Sequence, residues 1–180
     1  MAAKDRESWW VLRAQTGDRE AFDSLLKNVQ GPLYRYVLSL VREPSLAEDI
    51  LQEVFLRIYR KLRWLREPSA FRSWAYRIAS REAFRHLRRE RAHASHQEDE
   101  DALKGIAAEP PALTEFAPEL IAVLPQMIEK LSPASRAVIV LYYLEEMSLE
   151  ETAAVLDIPL GTVKSRLSYG LERLRREFQR

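Results

Sequence analysis

Apolar residues recur at helical spacing along nearly the whole chain, and no stretch carries the sustained alternation or the Asn-Gly turns of a hairpin. The clearest pattern lies between Leu46 and Leu62. There Ala47, Ile50, Leu51, Val54, Ile58 and Leu62 share one arc of a helical wheel, while Asp49, Gln52, Glu53 and Arg60 occupy the other. Leu56 falls in the middle of the polar arc, where burial within a bundle does not account for it. A second helix is predicted over Ala70 to Arg91, with Phe71, Ala75 and Ile78 inward and Arg77, Arg81, Arg85 and Arg88 along one flank beside Trp74. Near the C-terminus Val163, Leu167, Gly170, Leu174 and Phe178 form another buried face. The pattern predicts an all-α protein.

Punctuation sharpens these elements. Ser45 with Glu48, and Ser148 with Glu151, have capping-box spacing, in which the serine oxygen and the glutamate satisfy first-turn amides. Pro68 and Ser69 precede the second helix, and Ser132 with Pro133 supplies an N-cap and an N1 proline for a helix ending near Met147. Between Ala92 and Pro118 the helical pattern stops: His93, His96, the acidic block Glu98 to Asp101, Gly105, Pro110 and Pro111 give the composition of a flexible acidic linker. The expected organisation is two helical-bundle domains, 1–91 and 119–180, joined by a linker over 92–118.

From Ser148 to Phe178 a short helix, a break at Asp157-Ile158-Pro159 and a second helix opening at Leu160 or Gly161 have helix-turn-helix spacing. Ala153 lets the helices approach, Asp157 tolerates a left-handed turn, and Pro159 blocks continuation. The outer face of the second helix carries Thr162, Ser165, Ser168 and Tyr169, flanked by Lys164, Arg166 and Arg173. Hydroxyls and cations at the start of a second helix suit base edges and phosphates in a major groove. Pattern alone leaves open a helical hairpin with an ordinary solvated face.

Composition removes whole classes of function. With 180 residues, 47% of them hydrophobic, the chain can bury a substantial core, and without cysteine it has no disulfide, thiolate metal site or nucleophilic thiol. A formal net charge of +1 argues against a sequence-independent DNA coat, yet the charge is segregated: arginines crowd Arg81 to Arg91 and the C-terminal run. The N-terminus lacks the h-region of a secretory signal, and charges interrupt every apolar run before it reaches membrane-spanning length, so the expected place is the cytoplasm, without membrane insertion. His93 and His96 have no cysteine or ordered third ligand beside them, and there is no phosphate-cradling loop or nucleophile elbow. No catalytic residue, metal or cofactor is expected; the chain reads as a non-enzyme.

Leu160-Gly161-Thr162-Val163-Lys164-Ser165-Arg166-Leu167 closely resembles the region 4 recognition helix of extracytoplasmic-function sigma factors, of the sigma-70 superfamily. Ser148 to Ala153 looks like that family's first helix, and Leu131-Ser132-Pro133 like the lead into it. Ala47 to Arg57 resembles region 2.2, and Phe71-Arg72-Ser73-Trp74-Ala75-Tyr76-Arg77-Ile78-Ala79 resembles region 2.3. The blocks stand in family order at family separation. The resemblance implies a subunit that docks on core RNA polymerase, through the beta-prime clamp helices and the beta flap, and opens promoter DNA. It assigns polymerase binding to Asp49, Gln52 and Glu53, and Leu56, an apolar anchor inside that ring of charge, reads as part of the same docking site. The resemblance places the minus-10 element at the region 2.3 helix and the loop with Trp64, where Trp74, Arg77, Arg81, Arg85 and Arg88 read as a strand-binding flank, and the minus-35 element at Lys164, Ser165 and Arg166, with Thr162 and Tyr169 on the same outward face. The chain departs from the family at Arg81 and Arg85, where Asn and Asp are common, and at Tyr169-Gly170-Leu171, where a basic-Ala-Arg continuation is usual.

The family also implies that an acidic linker threads toward the polymerase cleft, against which Glu98 to Asp101 as a simple soluble tether stands equally open. An anti-sigma factor is a candidate partner. Two other readings compete: a dimeric regulator whose N-terminal lobe senses or dimerises, and a bundle that binds only protein. Gel shifts with and without core enzyme separate them.

Overall fold

The computed structural model describes the backbone of residues 3–94 and 128–178, and the side chains over 5–90 and 128–176. All regular structure among the described residues is helical, and the chain divides into two units, Met1–Glu90 and Arg91–Arg180. Helix α1, Ala3–Gln15, was not legible as an element, because Trp9 to Leu12 form an apolar run instead of a stripe. One face nevertheless emerges at intervals of four: Glu7 and Val11 are buried and Gln15 is half-buried. Gly17, with φ 96°, reverses the chain, and the Asp18 carboxylate then accepts the Ala21 amide at 3.0 Å to open α2, Arg19–Val41. Asn28 of α2 donates to the Glu7 carboxylate at 2.9 Å, so α1 is pinned to α2 by a polar contact as well as by Val11.

Arg42, left-handed with φ 62°, ends α2, and α3 follows as Pro44–Lys61. The N-cap of α3 is Glu43, whose carboxylate accepts the Ser45 amide at 2.9 Å and the Leu46 amide; the capping box expected of Ser45 and Glu48 does not form. Pro44 explains the difference, since its fixed φ and missing N–H suit N1 and start the helix ahead of Ser45. Ala47, Ile50, Leu51, Val54, Ile58 and Leu62 are all buried, as their arc predicts. A 3-10 turn over Leu62–Trp64 and another over Pro68–Ala70 lead into α4, Phe71–Ala94, which runs three residues past the expected boundary at Arg91.

On α4, Phe71 and Ala75 are buried as expected, but Ile78 is only half-buried while Tyr76, Ala79, Ser80, Glu82 and Ala83 are buried. The helix is turned by polar partners on two sides. The Ser80 and Tyr36 hydroxyls meet at 2.7 Å against α2, and Glu82 pairs with Arg57 of α3 at 2.8 Å. Apolar periodicity does not register those groups.

In the second unit a 3-10 turn, Ile128–Lys130, precedes α5, Pro133–Ile139, with Ser132 as N-cap and Pro133 at N1 as expected. A π-helical turn, Val140–Leu144, continues α5. Arg136 is buried, and its guanidinium donates to the carbonyls of Ile128 (2.8 Å), Glu129 (2.8 Å) and Leu131 (2.7 Å), tying the incoming turn to α5. Helix α6, Leu149–Leu156, opens with the Ser148–Glu151 capping box, and α7 spans Leu160–Phe178. Val163, Leu167, Gly170 and Leu174 are buried on α7, joined by Leu171; the side chain of Phe178 lies outside the described residues. A Cβ at Gly170 would stand 2.6 Å from Ile139 Cδ1, so the glycine sets how closely α7 lies on α5. The rest of the expected linker, 95–118, with Glu98 to Asp101, also lies outside the described residues.

Candidate docking and nucleic-acid surfaces

The outward arc of α3 is built as its pattern requires. Asp49 and Gln52 are exposed, and Leu56 is 55% exposed among them. Tyr59, one turn further on, is 70% exposed, its ring meeting the edge of Phe22 at 5.4 Å. Tyr59 was missed, although its place beside Leu56 on the wheel was available. An apolar pair rimmed by charge is the anatomy of a protein-docking surface.

Glu53 behaves differently from its neighbours. It leans toward α4, pairs with Arg85, and lies 3.7 Å from the His86 ring. Arg85 also pairs with Glu82, whose side chain is 6% exposed and is held from the other side by Arg57. The result is a chain of alternating charge that braces α3 on α4. Burial acts to raise the Glu53 carboxyl pKa, but contact with the Glu82 carboxyl and the charges of Arg85 and His86 outweigh it, and the group is held below its ordinary value. His86 faces Glu53 across this junction.

The expected arginine row on α4 is therefore divided. Arg81 and Arg88 are exposed and Arg77 is half-buried, whereas Arg85 is drawn into the inter-helix junction. Trp74 is half-buried with its ring 6.1 Å from that of Phe71. Trp64 stands out from the turn ahead of α4, 68% exposed, with the Arg63 guanidinium 4.4 Å from its ring centre. An exposed indole with a stacked cation beside basic side chains can stack an unpaired base and hold its backbone.

In the second unit Asp157 takes the left-handed conformation, φ 58°, that the turn between α6 and α7 requires, and the Thr162 and Val163 amides bond to the Pro159 carbonyl. Thr162, Lys164, Ser165, Arg166 and Tyr169 are half-exposed on α7, opposite its buried face. The Ser165 hydroxyl donates to the Gly161 carbonyl at 2.8 Å. Arg173 reaches back one turn to donate to the Tyr169 hydroxyl at 3.3 Å, so a guanidinium is held beside the position where the chain has tyrosine. This tether was not anticipated, although the spacing of four was visible. Among the described residues no cluster of three or more metal-ligating side chains occurs, and no helix is long and apolar enough to cross a membrane. The side chains of His93 and His96 lie outside them.

Comparison with known proteins follows the division into units. The family model for sigma-70 region 2 matches residues 25–93, and that for sigma-70 region 4 matches residues 127–176. The chain is similar to the RNA polymerase sigma-H factor of Pseudomonas aeruginosa, 33% identical over 99% of this chain and 97% of the relative. It is likewise similar to the ECF RNA polymerase sigma factor SigW of Bacillus subtilis, 30% identical over 94% and 95% of the two chains. Among solved structures it resembles the sigma factor RpoE crystallised with the anti-sigma factor NepR from Bartonella quintana, with a TM-score of 0.66 and 23% identity over 88% of this chain and 96% of that one.

Proposed function

The chain belongs to the sigma-70 family, in its extracytoplasmic-function branch, and from that premise we propose that it binds core RNA polymerase, recognises promoter DNA and opens the strands for transcription initiation. The observation that carries this reading is the succession, in one chain, of a region 2 unit and a region 4 unit whose outward faces differ in chemistry. The first offers an apolar pair in an acidic setting and a basic, aromatic flank; the second offers a capped helix-turn-helix.

Docking on the beta-prime clamp helices falls to Asp49, Gln52 and Leu56, with Tyr59 extending the apolar contact. Glu53 acts from behind, as the residue that joins this face to α4. Strand capture at the minus-10 element falls to Trp64, Trp74, Arg77, Arg81 and Arg88. Unstacking a base costs a few kcal/mol, which aromatic stacking and phosphate contacts must return. Thr162, Lys164, Ser165, Arg166 and Tyr169 face the minus-35 element, and the beta flap is the contact for the second unit. The protein contributes binding and strand opening and no catalytic step of its own, working with polymerase in the cytoplasm. An anti-sigma factor is a further candidate partner, on the analogy of the RpoE complex.

A dimeric regulator with the same helix-turn-helix is disfavoured, since the region 2 match occupies the unit such a regulator would use for sensing. The test is transcription in vitro. Core polymerase with this protein should initiate at discrete sites on genomic fragments, and neither component alone should do so. DNA binding by the isolated protein at paired half-sites, with no effect on polymerase, would favour the regulator.

A further inference from the structure

Gln15, the last residue of α1, makes two hydrogen bonds that reach across most of the first unit's sequence. Its side-chain amide donates to the carbonyl of Leu62 at 2.9 Å and to that of Leu65 at 2.8 Å. These carbonyls mark the two ends of one turn, closed also by the Leu65 amide on the Leu62 carbonyl at 3.0 Å. Arg63 and Trp64 lie between them, and Trp64 is the exposed indole of the strand-capturing flank. A primary amide suits this position because it carries two donors on one nitrogen.

The bridge is anchored. Gln15 follows Glu7 and Val11 on the inward face of α1, and those residues fix the helix on α2 and in the core. Helix α1 also packs against both 3-10 turns that flank the Leu65–Glu67 segment. The position of the turn is thereby set by a helix remote in sequence as well as by the loop's own hydrogen bond and the buried Leu62.

We infer that Gln15 is a positioning residue for promoter opening: it holds the Leu62–Leu65 turn so that Trp64 stands ready to receive an unpaired minus-10 base. This rests on the reading of Trp64 as a strand contact. Without the two donors the turn samples other conformations, and ordering it falls to the bound strand; opening weakens and discrimination between bases at the captured position flattens.

The experiment uses the full chain with core polymerase, a duplex promoter reporting strand opening by permanganate reactivity, and a promoter library randomised across both elements. Gln15→Met keeps side-chain length and helix propensity but removes both donors. Gln15→Glu keeps the shape and sets a carboxylate against two carbonyls. Trp64→Ala tests the underlying reading. Both Gln15 variants should bind core enzyme within about twofold of wild type and lower open-complex formation by about tenfold, the scale of one or two lost hydrogen bonds. They should also flatten the base preference at the minus-10 position that Trp64→Ala flattens, with the upstream preference intact. Wild-type opening and minus-10 preference in Gln15→Met, alongside loss of both in Trp64→Ala, would overturn the inference and leave the strand-contact reading standing. If Trp64→Ala selects the wild-type sequences, the strand-contact reading fails and the inference with it. A lowered Tm or weakened core binding in both Gln15 variants, without a change in minus-10 preference, would make Gln15 a fold support only and overturn it as well.

Discussion

Glu53 of α3 and Arg85 of α4 form an ion pair, so a residue assigned by resemblance to polymerase docking is joined directly to one assigned to strand binding. Each therefore has an intramolecular partner in the free protein. Arg85 meets the buried Glu82 as well, and the two carboxylates hold its guanidinium over the junction.

Arg85→Ala should then differ from its neighbours in kind. It should weaken core-polymerase binding and lower the Tm of the first unit, because Glu82 loses a partner while largely buried. That penalty is on the order of 1–3 kcal/mol, since Arg57 remains and solvent reaches part of the site. Arg88→Ala should leave Tm unchanged, and Arg81→Ala and Arg88→Ala should slow strand opening on duplex promoters more than on templates already unpaired. Calorimetry beside transcription on the two templates checks both. An Arg85→Ala profile matching that of Arg88→Ala would return Arg85 to the strand-binding row.

The same junction should be sensitive to acid. The Glu53 carboxyl is held below its ordinary value of 4.5, so the folded state prefers it ionised. Its contribution to the α3–α4 contact is complete above that ordinary value and is lost as the pH falls through the lowered folded value. Carboxyl-resolved NMR should show Glu53 titrating below the ordinary glutamate value of 4.5, and Arg85→Ala should move it upward. An unchanged midpoint in that variant would remove Arg85 from the groups that hold it low.

What the sequence made legible depended on the kind of force involved. The buried arc of α3, the exposure of Leu56, the Ser148 cap and the left-handed Asp157 were all readable, because apolar periodicity and local capping act over three or four residues. The ion pairs Arg57–Glu82 and Glu53–Arg85 join side chains 25 and 32 positions apart on two helices, and Gln15 reaches 50 positions to Leu65. No local pattern marks such pairs. Hence α4 was placed correctly but turned wrongly at Ile78, and the arginine row was read as continuous. The start of α3 failed for a local reason: Pro44 moves the cap to Glu43, and glutamate is not a usual N-cap residue.

The exposed face of α3 predicts a docking defect without unfolding. If this face docks as proposed, Leu56→Asp should abolish co-purification with core polymerase while helicity and Tm stay near wild type, since the side chain is solvent-facing in the free protein. Tyr59→Ala should weaken binding by about 1–2 kcal/mol, as for a peripheral aromatic contact. Retained co-purification of Leu56→Asp would clear this face of a docking role.

In the second unit two substitutions test packing and not DNA contact. Arg136→Met leaves the carbonyls of Ile128, Glu129 and Leu131 without their shared donor, a loss of about 3–5 kcal/mol for a buried charged hydrogen-bonded group. Gly170→Val drives a branched side chain into Ile139, already in contact distance of a bare Cβ, and overpacking of this kind costs about 1–3 kcal/mol. Both should lower the Tm of this unit. Thermal melts that match wild type would mean that α5 and α7 shift to accept the change.

The recognition helix gives the sharpest division between reading a sequence and merely holding DNA. Lys164 and Arg166 flank Ser165 on the outward face of α7, and a side chain that contacts a base edge discriminates by about 1–3 kcal/mol, whereas a phosphate contact weakens all sequences alike. Lys164→Ala and Arg166→Ala should therefore lower promoter use and relax the preferred upstream bases. Tyr169 acts through its tether: its hydroxyl accepts from Arg173, and a ring without that oxygen frees the guanidinium while leaving the packing intact. Tyr169→Phe should alter upstream preference where Arg173 reaches, with little change in overall yield, and Arg173→Ala should reproduce the change with a loss of yield from the missing charge. The measurement is transcription by holoenzyme from a randomised upstream library, sequenced for each variant. Identical selected sequences in wild type, Lys164→Ala, Arg166→Ala and Tyr169→Phe would take α7 out of promoter recognition and leave it a solvated helix of the bundle.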